Sequence, residues 1–219
     1  MIASVRVIGR GRVGAAVNAR LQERGLLATH DVADVVLLCV PDTAISGVAA
    51  SLAPGPWVAH VSGATPLAAL APHTRRFGLH PLQTFTRRRG PEQLDGAWAA
   101  ATGENDEALA RARWLGSALG LATFDLDEAN RVLYHAGAAM ASNYLVTLHQ
   151  AAARLLELAG APSEALVPLM RRTIENDFEL TGPIARGDWT TVHNHLEAIA
   201  AQAPEIEAAY RALAALTTK

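Results

Sequence analysis

Two hydrophobic patterns divide the chain near residue 126. Before this point, short apolar runs rich in β-branched residues alternate with segments of helical periodicity, and each run is predicted to be a buried strand. The six runs lie at residues 4–8, 34–41, 57–61, 76–79, 98–102 and 122–126. Strands that alternate with helices are typical of a largely parallel sheet. Residues 1–126 are therefore predicted to form an α/β domain.

A purely helical pattern follows from Asp127, with no strand signal in the rest of the chain. A long segment rich in alanine and leucine ends near Gly160, and Ser163 begins a second helix that extends to about residue 180. Asp188 is a good N-cap for a third helix, and Pro204 opens a fourth. We therefore expect residues 127–219 to form an all-helical domain.

Composition and charge narrow the classes of partner. Half of the residues are hydrophobic, 18% are charged and the formal net charge is −2, which offers no basic surplus for nucleic acid or an anionic membrane. No apolar run reaches the ~18 residues of a membrane-spanning helix. The N-terminus enters a strand and does not resemble a signal peptide. We expect a cytoplasmic protein with neither a nucleic-acid nor a membrane partner.

Three residue types limit the chemistry that the chain can perform. The only cysteine, Cys39, falls in an apolar strand and is predicted to be buried. The only lysine is Lys219, so catalysis by a lysine side chain is not expected. His193 and His195 are two residues apart on a predicted helix, which places them too far around it to share a metal ion. No metal site is therefore predicted.

A glycine-rich turn joins the first predicted strand to the first helix. Gly9-x-Gly11-x-x-Gly14 follows the strand directly, and this context is typical of a dinucleotide-binding turn. Gly9 permits the tight turn, Gly11 lets the backbone approach a pyrophosphate, and Gly14 lets the helix pack closely on the strand. Free N–H groups at the start of the helix would hold the phosphates. The alternative is a turn that only connects strand and helix.

The segment after the first helix is too short for the usual continuation of a dinucleotide fold. Asp31 lies twenty residues beyond Gly11, which is the spacing of an acidic ribose ligand. However, the next strand begins about five residues after 26–29, whereas a parallel neighbour needs a crossover of roughly a dozen residues. Either 26–29 is a vestigial edge strand or one strand–helix unit is absent. The spacing favours a loop or N-cap role for Asp31.

Six sequence motifs together resemble a known family. They are Gly9-Arg10-Gly11-Arg12-Val13-Gly14, Cys39-Val40-Pro41-Asp42, His60-Val61-Ser62-Gly63-Ala64, His80-Pro81-Leu82-Gln83-Thr84-Phe85, residues 135–144 and Thr181-Gly182-Pro183-Ile184-Ala185-Arg186-Gly187-Asp188. In this order they are similar to the Rossmann-like proteins with a DUF2520 C-terminal domain, within the 6-phosphogluconate-dehydrogenase-like oxidoreductases. The resemblance implies an NAD(P)-binding N-terminal domain with a shortened parallel sheet, and a helical C-terminal domain that forms a homodimer. It also implies hydride transfer to a small carbonyl or imine substrate.

The resemblance also assigns the cofactor-binding residues. They are Gly9, Gly11, Arg12, Val13, Gly14, Val40, Pro41 and Asp42, with NADP slightly favoured over NAD. The related ketopantoate reductases use a lysine one helical turn before an asparagine on the first helix of the C-terminal domain. Asn143 matches that asparagine, but Ala139 stands at the position of the lysine. The proton donor must therefore be another residue.

The long helix that begins at Asp127 carries one set of candidate residues. His135 and Asn143 lie eight residues apart on one broad helical face, with Ser142 beside them as a further substrate contact. His135 is predicted to supply a proton and Asn143 to hydrogen-bond a carbonyl oxygen. The alternative is a polar pair within a helix interface. The larger apolar and aromatic side chains, Tyr134, Met140, Tyr144 and Leu148, are predicted to pack between helices.

Strand ends carry a second set of candidate residues. His80 precedes Pro81 directly after a strand, and His60 lies at another strand end, where α/β sheets bind their ligands. His80 is the second candidate proton donor. Ser62 and the amide of Gly63 are predicted to hold a substrate carboxylate, with His60 as an additional contact. Alternatively, each histidine is a structural side chain or a turn residue.

Two functional hypotheses follow from the sequence. The first is an NAD(P)H-dependent reductase of a small carbonyl or imine acid. The second is a non-catalytic dimeric protein, ligand-binding or regulatory, that kept the fold and lost the dinucleotide chemistry. The missing strand–helix unit and the absent lysine favour the second, whereas the presence of His80, Ser62 and Asn143 together favours the first.

Overall fold

The chain folds into two compact units, Met1–Ala139 and Met140–Lys219. A computed structural model describes residues 4–28 and 32–217. The first unit is built on a six-stranded sheet, and the described part of the second unit is helical. The domain boundary expected near residue 126 stays a prediction.

Six strands form the frame of the first unit, and they follow one another across the sheet in sequence order. They are β1 (Val5–Ile8), β2 (Val35–Leu38), β3 (Trp57–His60), β4 (Arg76–Leu82), β5 (Trp98–Gly103) and β6 (Ala122–Asp125). Neighbouring strands are parallel except for β4 and β5, which pair in the antiparallel direction. The predicted α/β class is confirmed, and a strand forms in each of the six predicted runs.

Helices cover both faces of this sheet. Side chains alternate along β2, so that Val35 and Leu37 face α1 (Arg12–Glu23) and α3 (Asp106–Leu119) while Val36 and Leu38 face α2 (Ile45–Ala50). Both sets are fully or almost fully buried, which explains why the strand reads as a continuous apolar run. Cys39 lies in the core beside α1, as predicted.

A single bridge takes the place of a strand at the outer edge of β1. Leu27 pairs in parallel with Val5, whose N–H donates to the Leu26 carbonyl at 2.8 Å and whose carbonyl accepts from Ala28 at 2.9 Å. β2 begins at Val35, so the intervening chain is too short for a strand and a crossover helix. The edge is thus vestigial in the described residues, and the absence of a whole strand–helix unit stays a prediction. Asp31 lies outside the described residues.

Helices and the loops that join them make up the remainder of the described chain. The first unit ends with α4 (Arg131–Ala139), and the second begins with a π-helix at Met140–Tyr144. The second unit continues with α5 (Leu145–Leu158), α6 (Leu166–Glu175), α7 (Trp189–Gln202) and α8 (Pro204–Thr217). None of the helices within 4–28 and 32–217 combines the length and the apolar character that crossing a membrane requires.

Local chemistry sets two of these helix boundaries. Asp188 caps α7 as predicted, because its carboxylate accepts a hydrogen bond from the N–H of Thr191 at 3.1 Å. The end of α6 differs from the prediction, since the helix stops at Glu175 and does not reach residue 180. Asp177 and Phe178 adopt left-handed backbone conformations, with φ of 53° and 58°, which an α-helix of L-residues cannot continue.

The second unit exposes many apolar side chains. Among its described residues, the buried hydrophobic side chains are those of Leu166, Val192, Ile199 and Ala203. Large hydrophobic side chains with more than two-fifths of their surface exposed are Met140, Tyr144, Leu145, Val146, Leu148, Val167, Leu169, Ile174, Phe178, Leu180, Trp189, Leu213 and Leu216. An apolar surface of this extent is typical of a region that another molecule covers.

Candidate functional site

The carboxyl ends of four strands gather most of the predicted site residues at one edge of the sheet. The glycine-rich turn follows β1, Asp42 lies shortly after β2, and Gly63 lies shortly after β3. β4 extends beyond β3, since the pairing of these two strands ends at Gly78 and His80 lies two residues further on. This is the edge of an α/β sheet at which ligands bind.

Two glycines of the turn are required by the chain itself. Gly9 has a φ of 113°, and a Cβ on it would lie 2.3 Å from the carbonyl oxygen of Cys39. A Cβ on Gly14 would lie 2.1 Å from the carbonyl oxygen of Gly9, so the close approach of α1 to β1 requires glycine there. Both roles match the sequence-based expectation.

Gly11 differs from the other two glycines because a Cβ on it would meet no described atom within 4 Å. It lies at the N-cap of α1, and among the described residues no side chain caps this helix end. The unbonded N–H groups of a first helical turn attract anions. The turn therefore fits a phosphate group, and the packing of the described chain supplies no other reason for glycine at this position.

A hydrogen-bonded bridge joins the loops after β2 and β3. The Ser62 hydroxyl donates to the Asp42 carboxylate at 2.8 Å. Its oxygen accepts from the N–H groups of Ala64 at 3.2 Å and Thr65 at 2.9 Å. The Ser62 hydroxyl is thus fully engaged within the chain, where it holds the loop that contains Gly63. Its predicted contact with a substrate carboxylate stays a prediction.

His60 lies beneath this loop with no solvent-exposed surface. Its Nδ1 atom accepts a hydrogen bond from the N–H of Ser62 at 3.2 Å, which places the proton of the neutral ring on Nε2. The Nε2 atom has no hydrogen-bond partner among the described residues. The ring is therefore positioned to support the Ser62 loop, and a ligand cannot reach it without displacing its neighbours.

Two histidine rings pack directly on Gly63. A Cβ on Gly63 would lie 2.6 Å from Cδ2 of His135 and 2.9 Å from both Cε1 and Nε2 of His80. The two rings are 6.0 Å apart between centroids and lie nearly perpendicular to one another. Any side chain at position 63 would clash with these rings, so glycine is needed there for His80 and His135 to lie side by side.

Tyr134 makes the closest polar contact in this group. Its hydroxyl oxygen lies 2.7 Å from Nδ1 of His80, and the two rings meet edge to face at 5.5 Å. Phe124 contacts the Tyr134 ring from another side, with centroids 5.9 Å apart. Tyr134 was expected only to pack between helices, whereas the structure gives its hydroxyl a polar partner at the site.

Arg131 anchors the same helix to the sheet. It is 2% exposed, and its guanidinium donates to the Thr102 hydroxyl at 3.0 Å and to the backbone carbonyl of Ser62. Glu128 lies 3.9 Å from its Nε atom, too far for a hydrogen bond. Arginine keeps its charge when buried, so a fixed cation lies behind the histidines.

Burial keeps the titratable groups of the site neutral. It lowers the pKa of His60 to about 4, and the positive charge of Arg131 acts in the same direction. Burial also lowers the pKa of His80 to about 4, assisted by His135 and Arg131 and opposed by Asp42. The pKa of Tyr134 is raised to about 12 by burial. At neutral pH these three side chains are uncharged.

Ser142 and Asn143, the other two predicted site residues, belong to the second unit. The Ser142 hydroxyl donates to the side-chain oxygen of Asn143 at 3.1 Å. Both lie in the π-helix, whereas the expectation that Asn143 shares a face with His135 assumes an uninterrupted α-helix of 3.6 residues per turn. Their roles toward a substrate stay predictions.

A cavity of about 500 Å³ lies at the opposite edge of the sheet, where Arg6, Asp34, Trp57, Arg75 and Arg111 contribute to its lining. It contains none of the residues that the sequence singled out, so its size alone does not make it the functional site. Within residues 4–28 and 32–217, no group of three or more His, Cys, Asp and Glu side chains is arranged to hold a metal ion.

Sequence reasoning missed the contributions of Arg131 and Tyr134. Together with His135 they have the i, i+3, i+4 spacing that places side chains on one face of a helix, and α4 presents that face to the edge of the sheet. This spacing was a usable signal. The partners on β3, β4 and β5 were not visible from it, because they are distant in sequence.

Comparison with known proteins gives a family match and a fold match. The family model of a domain of unknown function, DUF2520, matches residues 97–217. No curated protein sequence matches the chain.

Among solved structures, the chain is similar to the protein BF3122 from Bacteroides fragilis, whose assignment as an NADP oxidoreductase is provisional, with a TM-score of 0.81 and 20% identity over 99% of this chain and 98% of that chain. Protein TM1727 from Thermotoga maritima gives a TM-score of 0.78 and 20% identity over 97% and 96% of the two chains. The 1-pyrroline-5-carboxylate reductase of Streptococcus pyogenes gives 0.63 and 17%, with 98% of each chain covered. These structures confirm the Rossmann-like fold.

Proposed function

The chain belongs to the DUF2520 family, and from this premise and the arrangement of its first unit we propose that it is an NAD(P)H-dependent reductase of a small carbonyl or imine acid. The observation that carries the proposal is a continuous series of contacts along one sheet edge. Gly9 packs against Cys39, Asp42 bonds to Ser62, and the glycine that follows Ser62 contacts His80. A phosphate-binding turn and a proton donor on one edge meet the needs of hydride transfer.

The turn would hold the pyrophosphate of a nicotinamide dinucleotide through the N–H groups of Arg12, Val13 and Gly14 at the start of α1. Val40 and Pro41, next to it after β2, would lie along the cofactor. When bound, the reduced nicotinamide supplies the hydride. The vestigial edge beside β1 lacks the usual wall against the adenine ribose, so we expect the adenosine half to contribute little to affinity.

We assign the proton donor to His80, with His135 beside it as the second candidate. The Nε2 atom of His80 makes no hydrogen bond with any described residue. Nε2 is also not a fully buried atom, since the fully buried side-chain nitrogens without a partner in the described chain belong to Trp57, His60 and Arg131. Nε2 is thus accessible, next to Gly63, at the edge where a substrate would bind.

Names of structural neighbours support a reductase without identifying its substrate. BF3122 from Bacteroides fragilis is provisionally named for NADP chemistry, and the Streptococcus pyogenes protein is named for reduction of 1-pyrroline-5-carboxylate, a cyclic imine acid. At identities of 20% and below, neither name transfers to this chain directly. They guide the choice of substrates to test.

The vestigial edge of β1 favours a second candidate, a ligand-binding or regulatory protein without hydride chemistry. In that case the glycine turn would be an inherited connection, and the histidine pair would serve another ligand. Binding of the reduced cofactor separates the two candidates.

We also propose that the protein is a homodimer that buries the exposed apolar side chains of its helical unit against a second copy. Light scattering in solution is expected to give about twice the chain mass of 23.1 kDa. A mass of one chain across micromolar concentrations would contradict this.

The reductase proposal is tested by titrating the protein with NADPH and NADH while following nicotinamide fluorescence. We expect saturable binding well below millimolar, followed by oxidation of the cofactor with a member of a panel of 2-keto acids and cyclic imines. His80→Gln should reduce turnover by about 10²-fold or more. His193→Gln is the matched control, because His193 is exposed on α7 in the second unit. Affinities weaker than millimolar for both nucleotides would refute the proposal.

A further inference from the structure

Tyr134 and His80 share a hydrogen bond, and the distance alone does not show which of the two donates the proton. A neutral imidazole carries one N–H, and a phenol carries one O–H, so either Tyr134 donates to Nδ1 or Nδ1 donates to Tyr134. The two arrangements place opposite functions on Nε2. In the first, Nε2 carries a proton that it can give to a ligand; in the second, Nε2 can only accept.

Donor accounting distinguishes the two arrangements. If Nδ1 donated, two groups would have no partner among the described residues, namely the phenolic proton of Tyr134 and the lone pair on Nε2. If Tyr134 donates, its proton and the Nδ1 lone pair satisfy each other at 2.7 Å, and only the Nε2 proton is left for a ligand or solvent. Buried polar groups are almost always paired, so the arrangement that leaves fewer groups unpaired is favoured, and in it Tyr134 donates to Nδ1.

We propose that Tyr134 is a positioning residue that holds His80 in the tautomer with its proton on Nε2, so that the accessible side of the ring next to Gly63 is a hydrogen-bond donor and the site recognises a carbonyl oxygen or imine nitrogen. This inference rests on the proposed function for the identity of the acceptor. The orientation of His80 itself rests on the contacts alone.

The electrostatic surroundings agree with a neutral histidine. The groups that face His80 are Tyr134, His135 and Arg131 from α4 and Asp42 from the loop after β2. Burial and the nearby cation keep the pKa of His80 at about 4, so the ring is uncharged at neutral pH. Burial keeps the phenol of Tyr134 protonated, with its pKa raised to about 12. Both partners are in the states that the proposed hydrogen bond requires.

A neutral donor implies a relay, because a neutral imidazole that only lost Nε2–H would become an anion. A bound reduced nicotinamide would supply hydride to the substrate carbon. As negative charge develops on the substrate oxygen or nitrogen, the bond between Nε2 and its proton would break and a bond between that proton and the substrate atom would form. In the same step the Tyr134 O–H bond breaks and an Nδ1–H bond forms. His80 ends neutral with its proton on Nδ1, Tyr134 ends as phenolate, and water later restores the phenolic proton.

Arg131 is placed to stabilise the phenolate. It precedes Tyr134 by three residues on the same face of α4, and its positive charge lowers the pKa of the phenol against the effect of burial. Its guanidinium is fixed by Thr102 and by the Ser62 carbonyl, so it needs no rearrangement when the negative charge develops. Because residue 63 is glycine, the Nε2 side of the His80 ring can pack directly against the backbone at this position.

The tautomer is measured by long-range ¹H–¹⁵N correlation spectra of the full-length protein labelled at histidine, between pH 6 and 8. The His80 signals are assigned by their loss in His80→Gln. We expect a protonated Nε2 and an unprotonated Nδ1 in the wild type. Tyr134→Phe keeps the ring contacts but removes the donor, and it should shift His80 toward a mixture of tautomers. Tyr144→Phe, an exposed tyrosine of the second unit, is the matched control.

The outcomes separate this proposal from the proposed function. A proton on Nδ1 in the wild type would overturn it, and this spectrum decides the matter even if Tyr134→Phe fails to fold. A well-folded Tyr134→Phe with an unchanged His80 tautomer would also overturn it. If a substrate is found, kcat of Tyr134→Phe should fall about 10²-fold with KM within threefold. Failure of NAD(P)H to bind would refute the reductase and leave the tautomer result standing.

Discussion

Replacing Gly63 with alanine would place a methyl group where two histidine rings already pack. The new Cβ would lie 2.6 Å from His135 Cδ2, and ordinary contact begins at 3.4 Å, so this ring must retreat by roughly 0.8 Å. The His80 ring must retreat by roughly 0.5 Å from its 2.9 Å contacts. Gly63 is not in a left-handed conformation, so the whole cost arises from these contacts.

The magnitude follows from overpacking against the half-buried His80 ring, because the His135 ring is exposed and can turn aside. Forcing an extra carbon into such a site costs about 1–3 kcal/mol of unfolding free energy. A shift of His80 away from Gly63 also strains its 2.7 Å hydrogen bond to Tyr134. Misplacement of a catalytic group by up to 1 Å can cost about 10²-fold in turnover. Gly63→Ala is therefore expected to reduce both stability and any reductase activity.

Urea unfolding of Gly63→Ala measures the first effect, and the ¹⁵N signals of His80 measure the second without a substrate. Gly137→Ala is the matched control, because Gly137 is on α4 and a Cβ there would meet no atom of the described chain within 4 Å. That control should gain about 0.5–1 kcal/mol from better helix propensity. If Gly63→Ala unfolds at the wild-type midpoint with unchanged His80 signals, the two histidine rings do not pack closely on Gly63.

Two further predictions concern the glycine turn and the buried histidines. Gly9→Ala should lower the free energy of unfolding in urea by at least ~3 kcal/mol, because the φ of Gly9 is 113° and the new Cβ would meet the Cys39 carbonyl oxygen. Gly11→Ala should keep the free energy of unfolding within about 0.5 kcal/mol of wild type but weaken NADPH binding. Equal destabilisation by the two substitutions would contradict this. Since His60 and His80 have a pKa near 4 in the fold and 6.5 when unfolded, the unfolded chain binds more protons between these values. The free energy of unfolding should therefore fall by a few kcal/mol as pH drops from 6.5 towards 4. The free energy of unfolding of His80→Gln should fall by less over the same range. Identical pH profiles for the two proteins would contradict the burial of His80 in its neutral form.

The sequence by itself determined the layers of the fold and the place of the glycine-rich turn. A central strand such as β2 is buried on both faces, so all of its side chains are apolar and the strand can be recognised in the sequence as a continuous apolar run. Gly9 and Gly14 were readable because backbone clashes within one local turn enforce them. The short segment before β2 was readable from length alone, since a crossover helix needs more residues than the chain supplies.

Only the tertiary structure decided which side chains meet. The contacts among Gly63, His80 and α4 join residues far apart in sequence, and no periodicity encodes that β4 extends beyond β3 to place His80 above Gly63. The tertiary structure also distinguishes the two predicted strand-end histidines: His60 is fully buried and His80 is accessible, because neighbours from other elements determine burial. Tyr134 gained a polar role in the same way, since a hydroxyl has no preferred partner until the fold brings one to 2.7 Å.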